Sequence, residues 1–243
     1  NNIFSLYLAR EYLLKEDTLL LESDIIFEGA VLRRLLENPY PSLALVAKCE
    51  SWMDGTVVTL DQDDNILEFI GKKQFDFTRT DQYYKTVNIY KFSREFSRTH
   101  YVPFLEAYCQ ALGNNEYYEQ VLKVITLLDR PEIKGARLDK ELWYEIDDEQ
   151  DLDIAESLFA QKDEKLSRYQ KRYGGYWRYP GLKDFCYLVN PFYPPAKLKA
   201  ELKASFDTLL TNYPSGMEVN SLLAAKNFGL EKLKLQLMAA APL

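Results

Sequence analysis

At 243 residues, 47% hydrophobic and 28% charged, the chain has the make-up of an ordinary soluble globular protein with one large domain, or one domain and part of another. A formal net charge of −7 argues against a general nucleic-acid or anionic-membrane surface while leaving room for a local basic pocket. No apolar run reaches the length needed to cross a bilayer.

In chain order, Asn2-Ile3-Phe4-Ser5 opens a helix whose apolar stripe is Leu6, Leu8, Ala9, Tyr12 and Leu13. After a turn at Asp17-Thr18, the run Leu19-Leu20-Leu21 predicts a central parallel strand covered on both faces, ending in Glu22-Ser23-Asp24. Ile25–Leu36 reads as a helix that Pro39–Pro41 stops. Leu43–Lys48 predicts a strand and Ser51–Gly55 a loop, followed by strands at Thr56–Leu60 and Ile66–Ile70 around a turn at Asp61–Asn65. In the strand Tyr84–Phe92, Tyr84, Thr86, Asn88 and Tyr90 share one face, and Lys85, Val87, Ile89 and Lys91 the other. Ser93–Leu112 and Glu116–Leu128 carry helical spacing, and Ile133–Leu138 and Leu142–Asp147 predict adjacent strands. Asp151 to about Tyr173 predicts one long charged helix. From Gly174 the chain turns aromatic and proline-rich, before a helix at Lys197–Thr211 and a turn at Asn212–Gly216. There is no internal repeat or low-complexity tract.

The stretch LWYEIDDEQDLDIAE, Leu142–Glu156, concentrates the chemistry. As a strand it puts Trp143, Glu145 and Asp147 on one face; the period then becomes helical through Leu152, Ala155, Leu158 and Phe159. Asp148, Glu149 and Asp151 fall where a first helical turn favours acids. Ligands of open α/β sheets bind outside the carboxyl ends of strands, where paired carboxylates suit Mg²⁺; the same acids also fit a capped, solvated connection. Asp24 ends another predicted strand. If the two strands are parallel neighbours, Asp24 and Asp147 converge on one metal, as phosphoryl or nucleotidyl transfer requires. The alternative for Asp24 is a helix N-cap. Cys49, Cys109 and Cys186 lie far apart without CxxC spacing, which predicts a reduced, cytoplasmic setting. Because His100 is the single histidine, mechanisms that need a His pair, a His-rich zinc site or a His phosphorelay lose support, and His100 reads as a lone base or as an ordinary residue near the helix start at Pro103.

Four blocks, LLLESDIIFE, WMDGTVVTLD, YYKTVNIYKF and LWYEIDDEQDLDIAE, occur in the order found in the later part of the nucleotidyltransferase superfamily. They resemble above all its cytidylyltransferases acting on phosphocholine, phosphoethanolamine or aminoethylphosphonate. The resemblance covers roughly residues 1–159. It implies an α/β fold, a Rossmann-like mixed sheet lacking its N-terminal part, with a helical and aromatic C-terminal extension. It also implies Mg²⁺ held by Asp24 and Asp147, CTP as donor, and a small phosphorylated or phosphonate acceptor. Lys85 then lies along the acceptor phosphate, or snorkels from a strand end. Trp52, Asp54, Tyr117, Glu119, Trp143, Tyr144 and Glu145 form an aromatic and acidic pocket for a small ammonium group, with core or loop packing as the alternative for the aromatics. The family's Gly-rich nucleotide loop has no counterpart here, since the chain contains no GxG. The chain opens without Met and closes on Ala239–Leu243, which completes nothing, so a fragment inactive on its own is expected.

From Arg172, RYGGYWRYPGLKDFCYLVNPFYPP and then NYPSG resemble the opening of a class I/II pyridoxal-phosphate aminotransferase of the histidinol-phosphate type. In those relatives a Tyr reaches the cofactor phosphate of the partner subunit, which implies a homodimer and assigns that role to Tyr213. The Schiff-base lysine lies beyond a tail this short, so pyridoxal phosphate belongs only to a full-length aminotransferase part. The expected division is 1–160 cytidylyltransferase-like, 161–173 helical linker, and 174–243 aminotransferase-like. Two other functions stay open: a non-catalytic nucleotide-binding or scaffold domain supporting an aminotransferase, and a sugar-phosphate nucleotidyltransferase.

Overall fold

The computed structural model describes residues 2–50, 52–128, 133–171, 179, 182–185, 190 and 192–230. The chain divides into two compact units, Asn1–Leu182 and Lys183–Leu243. Cys186 and most of the aromatic block after Gly174 lie outside the described residues.

In the first unit, helix α1 (Ile3–Leu13) is followed by strands β1 (Thr18–Leu21) and β2 (Ile25–Phe27) and helix α2 (Gly29–Leu36). Strands β3 (Leu43–Lys48), β4 (Val57–Leu60), β5 (Ile66–Ile70) and β6 (Tyr84–Phe92) come next. The long helical stretch after β6 starts as α3 (Arg94–Phe96), passes through a π-turn at Ser97–Tyr101 and continues as α4 (Val102–Leu112). Then come α5 (Glu119–Leu128), β7 (Lys134–Leu138), β8 (Trp143–Glu145), α6 (Glu149–Phe159) and α7 (Lys162–Gln170). Six strands form one sheet in the order β5-β4-β6-β3-β7, with β1 also paired to β6; only β3 and β7 run parallel, so the sheet is mixed.

β3 is the middle of this sheet, and its residues LALVA are all buried. Ala44 and Val46 face one core, built with Ile3 and Leu6 of α1, Leu105 of α4 and Val121, Leu122 and Ile125 of α5. Leu43, Leu45 and Ala47 face a second core, with Val31 and Leu35 of α2 and Val87 and Ile89 of β6. A strand covered on both faces reads as a continuous apolar run, which is why its limits are legible in sequence. Gly135 on β7 serves this packing directly: a Cβ there would come within 2.6 Å of Leu60 Cδ2.

Several expected elements are corrected. Leu19-Leu20-Leu21 forms a short antiparallel edge strand on β6, and Leu19 and Leu21 stay over a third exposed. A three-residue apolar run does not reveal whether its second face is covered. Ile25–Phe27 is a strand, paired antiparallel with β8, and the helix begins only at Gly29; β-branched Ile25 and Ile26 suit the pleated surface. β8 accordingly neighbours β2 and not β7. The predicted long helix from Asp151 divides at Ala160-Gln161 into α6 and α7.

The second unit contains helices α8 (Ala196–Ala204), α9 (Phe206–Thr211) and α10 (Met217–Phe228). The helix expected over Lys197–Thr211 is interrupted at Ser205.

Candidate active site

The cleft originates in how β1 and β4 share β6. Both run antiparallel to it on the same side: β1 ends at Leu21 opposite Ile89, and β4 begins at Val57 opposite Lys85. Residues 86–88 of β6 lie between them. There the chain leaving β1 and the chain approaching β4 touch β6 through single backbone bonds, Glu22 N–H to the Asn88 carbonyl at 3.3 Å and Thr86 N–H to the Thr56 carbonyl at 3.1 Å. A cleft of about 640 Å³ opens here, with Glu22 and Asp24 from the carboxyl end of β1 and Asp54, Gly55 and Thr56 from the loop before β4. It therefore occupies the kind of strand-end crevice that ligands favour in α/β sheets.

β2 and β8 bring in the second group of acids. Ile25 pairs with Glu145, and the Ile146 N–H donates to the Asp24 carbonyl at 2.8 Å, so Asp24 and Asp147 flank one end of this antiparallel pair. Both line the cleft, as do Glu145, Lys85, Asp54, Tyr117 and Glu119. The convergence on which a metal site depends thus comes from an antiparallel pair, and not from parallel neighbours. Asp24 caps no helix: Glu28 is the residue before α2. Asp148 caps α6, accepting from Gln150 N–H at 2.8 Å and Asp151 N–H at 2.9 Å. The acidic stretch therefore divides its labour, Asp148 serving the helix and Glu145 and Asp147 facing the cleft.

The remaining expected residues lie elsewhere. Trp52, Trp143 and Tyr144 line a separate pocket of about 160 Å³, where the Trp52 and Tyr144 rings stack at 5.4 Å. Tyr144 packs on Ile154, Ala155 and Leu158 of α6 and donates its hydroxyl to Asp151 at 3.2 Å. Tyr213 belongs to the second unit and is fully exposed.

Lys85 anchors the cleft. It is 2% exposed, with Nζ 3.0 Å from Glu145 Oε2 and donating to the Thr86 carbonyl at 2.8 Å. Asn88 donates its amide to Glu145 Oε1 at 2.7 Å and to Glu22 Oε2 at 3.2 Å. Alternation alone would put Lys85 and Asn88 on opposite faces. The β3–β6 register jumps between Ala44 and Val46, and Asn88 sits in the left-handed region at φ 59°, a bulge that re-aims its side chain. Gly55 is required beside them: its φ is 96°, and a Cβ would lie 3.2 Å from both Lys85 Cε and Nζ. At the rim, Lys72 and Lys73 follow Gly71, and Lys72 pairs with Asp54 at 2.7 Å, holding that carboxyl below its ordinary range.

Glu22, Glu119, Glu145 and Asp147 are displaced upward. Burial raises Glu22 and Glu145, with Lys85 opposing both shifts, and burial, Asp151 and Asp24 raise Asp147. Glu119, 4% exposed at the start of α5, is pushed up to about 7 by burial and by Glu22. Crowded carboxyls of this kind are relieved by a cation. Among the described residues no group of three or more His, Cys, Asp or Glu is placed to hold a metal ion. A dication here would rest on the all-oxygen pair Asp24 and Asp147, whose mutual repulsion it offsets, with water and substrate oxygens completing its shell. That arrangement fits Mg²⁺. Glu22, Gly55, Asn88 and Gln120, which also line the cleft, were not singled out as site residues from the sequence. Asn88, a polar residue inside the strand Tyr84–Phe92, was the available signal.

No protein-family profile matches the chain. The CMP-5'-(3-aminopropyl)phosphonate synthase of Streptomyces rubellomurinus (strain ATCC 31215) is 33% identical over 229 residues, 93% of this chain and 36% of the relative. The chain therefore spans about a third of the length of that relative. The CTP:phosphocholine cytidylyltransferase LicC of Streptococcus pneumoniae superposes with a TM-score of 0.51 at 18% identity, covering 64% of this chain and 62% of that one. The inositol-1-phosphate CTP transferase of T. maritima aligns at 0.46 and 18% identity, over 72% and 64% of the two chains, too loosely to bear on the reading. No helix among the described residues is long and apolar enough to cross a membrane. With a CMP-phosphonate synthase as a homologue over nearly all of its length, the chain has the mixed α/β fold found in the cytidylyltransferases.

Proposed function

We propose that this chain carries the acceptor side of a Mg²⁺-dependent cytidylyltransferase, which joins the cytidylyl group of CTP to a small phosphonate or phosphorylated amine. The observation that carries the reading is the meeting of Asp24, Asp147 and buried Lys85 on one cleft, in a chain 33% identical to a CMP-phosphonate synthase. An ionised oxygen of the acceptor attacks the α-phosphorus of CTP, a P–O bond forms, and the bond to the leaving pyrophosphate breaks. That oxygen is already anionic, so no side chain need remove a proton, and positioning supplies most of the rate. Mg²⁺ bound by Asp24 and Asp147 would supply charge neutralisation at the transferring phosphoryl group. Lys85 contributes a fixed positive charge toward the acceptor's phosphonate; two of its three donors are engaged by Glu145 and Thr86, leaving one for substrate. Lys72 and Lys73 add charge at the rim.

The residues after Gly174 we read as the opening of an aminotransferase domain. The sequence blocks there and the relative's greater length support this.

Pyrophosphate release by the full-length gene product, with CTP, Mg²⁺ and 2-aminoethylphosphonate or 3-aminopropylphosphonate, tests the function. Asp24→Asn and Asp147→Asn are each expected to lower kcat by about 100-fold or more, the scale of losing one electrostatic stabiliser. Unchanged turnover in Asp147→Asn would overturn the assignment.

A further inference from the structure

The carboxyls that reach the cleft from β1 and β8 come in two pairs, Glu22 with Asp24 after β1, and Glu145 with Asp147 at and just beyond the end of β8. In each pair the first acid is fully engaged. Glu22 accepts from the Asn2 amide on Oε1 at 2.7 Å and from Asn88 on Oε2 at 3.2 Å. Glu145 accepts from Asn88 on Oε1 at 2.7 Å and pairs with Lys85 on Oε2 at 3.0 Å. With a partner on every oxygen, these two acids serve to hold the walls together, and the second acid of each pair, Asp24 and Asp147, is left to face an ion.

The two engaged acids share a donor. Asn88 Nδ2 carries two hydrogens and directs one to each, so a single amide bridges the segment leaving β1 to the end of β8. Asn is depleted in strands, yet this one lies inside β6, 6% exposed, with its backbone in the left-handed region at φ 59°. Its carbonyl also accepts the Glu22 N–H at 3.3 Å, so it grips Glu22 by main chain and side chain alike.

This grip bears on the metal ligands through the chain. Asp24 stands on the turn where the chain leaves β1 of the main sheet for β2 of the two-stranded sheet, and Asp147 follows β8, the other strand of that small sheet. The Ile146 N–H bond to the Asp24 carbonyl, at 2.8 Å, joins the two segments at one point. A single bond leaves a turn free to pivot, and a second tie two residues back removes the pivot. Glu22 and Glu145 each stand two residues before a ligand, and Asn88 is that second tie.

We propose that Asn88 is a positioning residue for the metal: by holding Glu22 and Glu145 with one amide, it locks the turn that carries Asp24 against the strand end that carries Asp147, and keeps both carboxylates turned to one ion. The inference rests on the Mg²⁺ reading of the cleft and adds the residue that makes its two ligands converge.

Mn²⁺ binding to the full-length protein, followed by the electron paramagnetic resonance of the free ion, tests this without turnover. The unsubstituted protein is expected to bind Mn²⁺ at a site that Asp147→Asn abolishes, which locates the ion. Asn88→Gly leaves a backbone that glycine adopts freely at φ 59° and removes only the side chain. It should weaken Mn²⁺ about tenfold or more, the scale of losing a group that orients a metal ligand. Asn88→Asp has the same shape and tolerates the same backbone but exchanges the donor for an acceptor; it should also weaken Mn²⁺, although added negative charge alone would tighten it. In pyrophosphate assays the KM for Mg²⁺ should rise in both variants while kcat returns at saturating Mg²⁺, whereas a merely structural defect lowers kcat at every concentration. Mn²⁺ affinity that neither variant weakens overturns the inference and leaves cytidylyl transfer standing. Mn²⁺ that does not bind the unsubstituted protein, or that Asp147→Asn still holds, overturns the inference together with the metal reading.

Discussion

Replacing Lys85 by Met keeps most of the buried stem and removes only the ammonium. Its Nζ sits 3.0 Å from Glu145 Oε2 and donates to the Thr86 carbonyl at 2.8 Å, from a side chain 2% exposed. Without it, Glu145 keeps the Asn88 amide but loses the positive charge opposing its burial, with Asp24 and Asp147 close enough to repel it. Removing one partner of a buried pair costs about 3–5 kcal/mol, and Glu145, still 22% exposed, can draw on water, so the lower end applies, about 3 kcal/mol. Urea unfolding at pH 7 measures this, followed by the fluorescence of Trp52 and Trp143, both in the first unit. The second arm is Lys85→Met combined with Glu145→Leu, which removes both charges and leaves no orphaned carboxylate. It should recover at least half of the loss, about 1.5 kcal/mol, and Glu145→Leu alone completes the double-mutant cycle. A cost below about 1 kcal/mol for Lys85→Met, or a double variant no more stable than the single one, would refute the view that this ion pair secures the cleft.

Three further outcomes follow from the same geometry. Glu119 titrates near 7 in the fold against 4.5 ordinarily, so the folded protein binds the extra proton between those values and loses stability as pH rises through them. Glu119→Gln should flatten that dependence, removing about 3 kcal/mol of difference between pH 4 and pH 8 in urea unfolding; parallel pH profiles for the two proteins would contradict it. Gly55→Ala puts a Cβ on a backbone at φ 96° and 3.2 Å from Lys85 Cε and Nζ, so it should cost about 1–3 kcal/mol and raise the acceptor KM as Lys85 shifts; steady-state kinetics and unfolding together check this. Asp148→Ala removes the cap of α6 and should cost about 1 kcal/mol, read as faster amide exchange in the first turn of α6, while cytidylyl transfer is retained.

The elements most visible in the sequence are those whose burial is uniform. Leu43–Lys48 is covered on both faces, and Tyr84–Phe92 is long enough for its pattern to persist, so both strands appear where the residues predict them. Short apolar segments were ambiguous. Leu19–Leu21 and Ile25–Phe27 contain too few residues for a period to declare itself, and their partners lie far along the chain at Phe92–Ile89 and Glu145–Trp143. The bulge at Asn88 was only hinted at, because Asn tolerates the left-handed region but a single Asn inside a regular alternating run does not say that the strand bulges there, which the pairing with β3 settles. Without it, the convergence of Lys85 and Asn88 on Glu145 could not be anticipated.

By itself the sequence determined which chemistry was available: acids at Asp24, Glu145 and Asp147, a lysine at Lys85, and order of blocks enough to indicate a nucleotidyltransferase-like sheet. Residue type and local spacing suffice for that, since they act over a few positions. Only the tertiary structure decided which acids share the cleft, which aromatics leave it for the second pocket, and that Glu119 is buried without a donor on Oε2. Those outcomes depend on strand pairing and desolvation between residues distant along the chain, and no local pattern encodes them.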